Sequence, residues 1–147
     1  MAGPKKKSAA TKRVHSSASS GRTGLAGGRS GSAGVVADDS LSALRVRYLL
    51  AEFGDTHLAS IVGVHRLQLL RWAAGEQRPG PGAAPLLIDL EHVLARARLV
   101  WGGAAARTWL ESANVYLGGA RPIDVIRVSG PALVLEALNG EMWGGAA

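Results

Sequence analysis

From Leu41 onward the chain repeats one pattern, apolar residues at steps of three and four interrupted by glycine. That pattern strongly limits the architecture. A 3.6-residue period collects such residues on one face of a helix, and glycine ends helices readily because it tolerates the backbone conformation a helix stop requires. Leu41, Leu44, Val46, Leu49, Leu50 and Phe53 trace a first helix, with Ser40 as its expected N-cap and Gly54 as its stop. Asp55 to Val64 forms a short second segment in which Gly63 fits a tight turn. His65 to Ala74 then sets Leu69, Leu70 and Trp72 among polar residues and ends at Gly75. Two short helices about a glycine turn have the form of a helix-turn-helix.

The run Gln77-Arg78-Pro79-Gly80-Pro81-Gly82 is dense in helix breakers and is read as the boundary between two parts. Pro85 suits the first turn of the next helix. On that helix Leu86, Leu87, Leu90, Val93, Leu94, Ala97, Val100 and Trp101 share a face, with Asp89, Glu91, Arg96 and Arg98 mostly off it, and Gly102-Gly103 ends it. A helix over Ala104 to Ser112 carries Trp109 and Leu110. The loop Asn114 to Arg121 can reverse sharply at Gly118-Gly119, and Pro122 opens a helix over Ile123 to Val128. The last helix is expected from about Pro131 to Met142, with Leu133, Val134, Ala137 and Leu138 as its apolar stripe. No period-two alternation is sustained, so the expected fold class is all-α.

The charge is divided unevenly. Of 17 lysines and arginines, seven fall in residues 1–37 (Lys5, Lys6, Lys7, Lys12, Arg13, Arg22 and Arg29) with no acid among them, which leaves ten basic and eleven acidic residues for the rest. The first segment is rich in Ser, Gly and Ala and too poor in apolar residues to offset the entropy of ordering it, so it reads as a disordered basic tail. Such an arm either attracts phosphates through counterion release or serves as a solubilising extension. No apolar run suited to a secretory signal occurs before Leu41, and no segment reaches the roughly 18 apolar residues of a membrane span. With no cysteine there is neither a disulfide framework nor a thiolate metal site. A cytoplasmic protein is the expectation.

Candidate chemistry is sparse. His15, His57, His65 and His92 are scattered without the spacing of a helical zinc site, so no metal is expected. The glycine-rich run from Gly24 to Gly34 lacks the Gly-Lys-Ser/Thr ending of a phosphate loop and reads as linker. Glu111 and Asp124 flank the Gly118-Gly119 loop, but no third group orients them as an acid and base pair. Glu111 suits a solvated face, and Asp124 the first turn of a helix, where an acid meets the positive end of the dipole. No catalytic residue and no cofactor are expected. Trp72, Trp101 and Trp109 fall on apolar helical faces. Trp143, followed only by Gly144, Gly145, Ala146 and Ala147, is either an anchor for a partner's pocket or an end packed back on the body.

The stretch from Leu58 to Gly75 resembles the Xre-type helix-turn-helix in its small Ala59, its turn Gly63 and its Arg71-Trp72-Ala73-Ala74-Gly75 ending. By that resemblance Ala59, Val64 and Leu69 are packing positions, and Arg66, Gln68 and Arg71 stand near DNA, where arginine can bind guanine in bidentate fashion or hold phosphates. Two features depart from such motifs. His65 stands where a capping Ser or Thr is usual, and Leu67 and Leu70 are apolar on a face expected to be polar. Those leucines suit packing in a core or across a dimer interface, which would make the segment architecture rather than a DNA reader.

Trp109-Leu110, Asn114, Leu117, Gly118-Gly119, Arg121-Pro122-Ile123-Asp124, Gly130, Val134, Leu138 and Trp143-Gly144 together resemble the toxin-binding domain of Xre/MbcA/ParS-type antitoxins, the partners of RES-domain toxins that consume NAD. Composition and resemblance together divide the chain into the disordered basic tail over 1–37, an Xre-like helix-turn-helix region over 38–79 and a helical toxin-binding domain over 83–147, the resemblance itself covering about residues 56 to 145. The resemblance implies an antitoxin rather than an enzyme, one that occludes the toxin's active site with its C-terminal segment and also represses its own operon. The implied toxin-binding residues are Asn139, Glu141, Met142, Trp143, Gly144 and Gly145, with Arg121 either maintaining the domain's shape or meeting an acidic patch on the toxin. The implied partners are a cognate RES-domain toxin, operator DNA and a second copy of the chain in a larger complex. The alternative is a stand-alone helix-turn-helix regulator or a non-specific DNA-binding protein.

Overall fold

The computed structural model describes residue 3 and residues 39–144, all helix and turn with no strand among them. The helices are α1 (Ser42–Phe53), α2 (Asp55–Val62), α3 (Arg66–Ala74), α4 (Ala84–Trp101), α5 (Gly103–Glu111), α6 (Pro122–Ser129) and α7 (Ala132–Gly144), with a 3₁₀ turn at Val115–Leu117 between α5 and α6. The all-α expectation holds. The reading of residues 1–37 as a disordered tail lies outside the described residues, apart from Gly3.

Glycine ends the helices where the sequence places it. Gly63 and Gly75 are both left-handed, at φ 76°, and the N–H of Gly75 returns to the carbonyls of the last turn of α3. A side chain resists that backbone, and glycine does not. The start of α1 differs from expectation. Ser40 is not the cap; the Asp39 carboxylate accepts from the N–H of Leu41 at 3.1 Å, and α1 begins at Ser42. His65 does the work expected of a Ser or Thr. Its Nδ1 accepts from the N–H of Leu67 at 3.2 Å, satisfying a donor that the first turn of α3 cannot pair internally.

Helix α4 is the spine. It packs against α1 on one side and against α5, α6 and α7 on the other, while α1, α2 and α3 pack on one another. Leu87, Leu90, Val93, Leu94 and Ala97 of α4 are buried as the period predicts, and they join Val46, Leu49, Leu58 and Leu69 to Leu110, Ile123, Ile126, Val134 and Leu138 in one apolar cluster. The core therefore runs through the breaker turn at 77–82 without interruption. At about 25 cal/mol per Å² of apolar surface removed from water, these side chains supply most of the drive to fold.

Ion pairs tie α1 to the spine. Arg45 bonds both Asp39 and Glu91, and Arg98 bonds Glu52 while lying 5.8 Å from the centre of the Tyr48 ring. Burial alone would lower the Arg45 pKa, but its hydrogen bonds to Glu91 and Asp39 outweigh that and hold the guanidinium above its ordinary value. One expected packing assignment is corrected, and one of the two placements open to Leu67 and Leu70 is ruled out. Leu133 is half exposed rather than part of the α7 stripe, which consists of Val134, Ala137 and Leu138. Leu67 and Leu70 do not enter the core. No helix among the described residues is long and apolar enough to cross a membrane.

Candidate functional site

The C-terminal end of α7 is held by a buried polar brace. Val134, Ala137 and Leu138 seat the helix, and Glu141, three positions after Leu138, falls in register with them and turns inward. Its Oε1 accepts from the indole N–H of Trp109 at 3.0 Å and from the side-chain amide of Asn114 at 2.5 Å. Asn114 is the buried polar residue among those described, at 4 % exposure. Its Oδ1 accepts from the N–H of Tyr116 at 2.9 Å, its carbonyl from the N–H of Gly119 at 2.8 Å, and its own N–H donates to the carbonyl of Ala120 at 3.0 Å. Gly118 and Gly119, at φ 65° and 87°, let the loop close back on Asn114. One asparagine therefore ties the loop to α7, and the buried polar groups are paired as burial requires.

Tyr116 completes the seat. A Cβ on Gly140 would lie 3.1 Å from its ring and one on Gly144 3.3 Å from its hydroxyl, so the ring lies along the last turn of α7 against two residues without side chains. Beyond this support the helix end is open. Asn139, Met142, Trp143 and Gly144 are exposed, Trp143 to 78 %. Gly145 lies outside the described residues. Beside the tip, Tyr116, Leu117, Val125, Leu133, Glu136 and Ala137 line a hollow of about 340 Å³.

The predicted toxin-binding residues thus divide by orientation. Asn139, Met142, Trp143 and Gly144 face outward at one end of α7, whereas Glu141 is engaged by Trp109 and Asn114 of its own chain. Arg121 stands apart, exposed at the start of α6, where its Nε donates to Asp124 at 2.7 Å. That bond to Asp124 holds the Arg121 guanidinium above its ordinary pKa. Asp124 also approaches Arg127, at 3.7 Å, and Glu111 pairs with His57 of α2 at 2.7 Å. Asn114 as the holding residue was not anticipated. The available signal was Glu141 itself, a carboxylate spaced to share the buried face of α7.

The second candidate surface is α3. Arg66 and Arg71 are exposed, with Arg66 in a 3.2 Å pair with Asp55, while Gln68 is half-buried and donates to Gln77 at 2.7 Å. Ala59 and Leu69 are buried and Val64 partly so, as the packing positions of the motif require. Among the described residues no cluster of His, Asp or Glu could hold a metal ion.

Comparison with known proteins bears on the C-terminal part first. Residues 96–144 match the family described as the antitoxin Xre/MbcA/ParS C-terminal toxin-binding domain, a span that includes α5 to α7, the Asn114 brace and the exposed tip. No curated protein matches the sequence. Among solved structures, a chain in the crystal structure of the M. tuberculosis MbcT-MbcA toxin-antitoxin complex is similar at 25 % identity and a TM-score of 0.60, over 69 % of this chain and 94 % of that one. Residues 96–144 thus carry the toxin-binding domain of Xre/MbcA/ParS antitoxins, and the chain shares its fold with a member of a toxin-antitoxin complex.

Proposed function

We propose that this chain is an antitoxin that silences a RES-domain toxin that degrades NAD, by occupying the toxin's active-site cleft with the end of α7. The observation that carries this reading is the contrast within three residues: Glu141 is fixed from inside by Trp109 and Asn114, while Met142 and Trp143 are left exposed. A large aromatic presented on a held helix end loses little further freedom on binding, which is the property of an interface anchor. The last turn of α7 carries no basic residue, so no cation of its own offsets the negative end of the helix dipole. That end is matched to a cleft built for the phosphates of a dinucleotide. Asn139, Met142, Trp143, Gly144 and Gly145 make the contact, Glu141 sets the direction of the helix, and Arg121 meets the rim. The chain supplies no chemistry of its own.

A second role rests on α2 and α3, whose glycine turn and exposed arginines support binding to the antitoxin's own promoter, with the chain acting as a homodimer inside a larger toxin-antitoxin complex. The deciding experiment co-expresses the product of the adjacent reading frame with this chain and follows growth and cellular NAD. NAD should fall with the neighbour alone and recover with both. Removal of residues 143–147 should abolish the recovery while leaving the thermal unfolding of the isolated antitoxin unchanged. Full protection by the truncated chain would overturn the occlusion mechanism, and a harmless neighbour would overturn the assignment of the toxin.

A further inference from the structure

Helix α3 turns a mixed face to the outside. At about 100° per residue, Leu70, Ala74 and Leu67 fall along the middle of its exposed arc and Arg66 and Arg71 along its two edges, with Leu69 and Trp72 buried opposite. Leu67 is 51 % and Leu70 41 % exposed, so both leucines are offered to a partner rather than used by the core. The arginine edges suit a polyanionic partner. Arg66 is held only by the pair to Asp55, exposed on both sides, and such a pair is weak enough in water to be exchanged for a phosphate.

The apolar strip between them is too narrow for a protein. A specific protein interface covers on the order of 800 Å² on each side, whereas two half-exposed leucines and an alanine bounded by arginines offer only a fraction of that. A thymine C5 methyl, which projects into the major groove, requires no more than one apolar side chain. We infer that α3 reads thymine: Leu67 and Leu70 cover C5 methyl groups in the major groove, while Arg66 and Arg71 hold phosphate or guanine on either side. The inference deepens the proposed promoter binding and rests on it. The departure that set this helix apart in the sequence, leucine where a polar residue is usual, becomes its specificity element.

The test uses the full-length chain and its own promoter duplex, synthesised once with thymine and once with deoxyuridine, which pairs in the same way but lacks the methyl. The unmodified chain should bind the thymine duplex more tightly by roughly fourfold for each methyl covered, and so on the order of tenfold for two. The double variant Leu67→Ala/Leu70→Ala should bind both duplexes equally and keep its salt dependence, since the phosphate contacts remain. Equal binding of the two duplexes by the unmodified chain overturns the inference and leaves promoter binding standing. Failure to bind either duplex at low salt overturns promoter binding and the inference together. If the double variant keeps its far-UV circular dichroism but no longer neutralises the toxin, the strip belongs to a protein partner and the inference is likewise overturned.

Discussion

Trp72 and Trp109 show that the two ends of this molecule are held by different physics. Trp72 of α3 is almost fully buried and its indole N–H meets no hydrogen-bond acceptor among the described residues. Trp109 of α5 is half-buried, stacks at a tilt against Trp101 with ring centres 5.3 Å apart, and gives its N–H to Glu141. Helices α1 to α3 are thus gathered chiefly by apolar contact, which tolerates small changes of angle. The end of α7 is fixed by directional bonds that converge on one carboxylate, and those bonds lose strength steeply when the geometry shifts. Apolar packing suffices to expose a helix face, while presenting a single aromatic tip in a fixed direction calls for bonds with angles.

The sharpest way to break this contrast is Asn114→Ala. It removes the acceptor of the Tyr116 N–H and one of the two donors to Glu141, leaving partly buried polar groups unpaired. Such losses cost about 1–3 kcal/mol each, and the expected fall in the thermal midpoint is on the order of 10 °C for a chain of this size. Neutralisation of the toxin should weaken more than the loss of folded protein explains, because the tip loses its direction. A variant with an unchanged midpoint would show that the Asn114 brace does not hold the C-terminal part together.

Trp72→Phe tests the other half and should have a smaller effect. Two terms oppose each other. The smaller ring leaves a void costing about 24 cal/mol per Å³, and the loss of an unpaired indole N–H returns about 1–3 kcal/mol of desolvation. Denaturant unfolding should therefore change by no more than about 1 kcal/mol in either direction, the balance of those two terms. A loss above about 2 kcal/mol would mean that the N–H makes a good hydrogen bond in solution, and the contrast with Trp109 would fail.

Helix positions were legible because they depend on neighbours in sequence. The period of Leu87, Leu90, Val93, Leu94 and Ala97, the stops at Gly54, Gly63, Gly75 and Gly102, and the start at Pro122 are all set within one or two turns. The match to the toxin-binding domain family was legible as a resemblance for the same reason, since its motif residues crowd between Trp109 and Asp124 before the closing helix. The brace was not, because Asn114 and Glu141 are 27 positions apart and meet only once the loop and α7 are both in place. The missing cap has a shorter explanation: the turn closed by Asp39 on the N–H of Leu41 puts Leu41 at the N-cap of α1, and its side chain has no oxygen to offer. Leu67 and Leu70 were noted as unusual, yet sequence alone left open whether they faced inward or outward, which depends on how α3 lies against α1 and α2.

The smallest effect belongs to the spine that both regions share. Asp89 of α4 is half-buried and makes no hydrogen bond of the kind that supports Glu141; burial raises its pKa above the ordinary carboxylate value, and the charge of His92 offsets only part of that. A carboxyl raised in this way binds its proton more readily in the folded than in the unfolded chain. Its ionised form therefore subtracts from stability above the folded-state pKa, and the deficit disappears as the pH falls below the unfolded value of about 3.9. Most of the penalty is screened by solvent. Asp89→Asn should accordingly be slightly more stable than the unmodified chain at pH 7 and indistinguishable from it in acid, as read from paired urea titrations. A gain that persisted in acid would have to come from packing rather than charge, and the burial of the Asp89 carboxylate would then carry no cost to the fold.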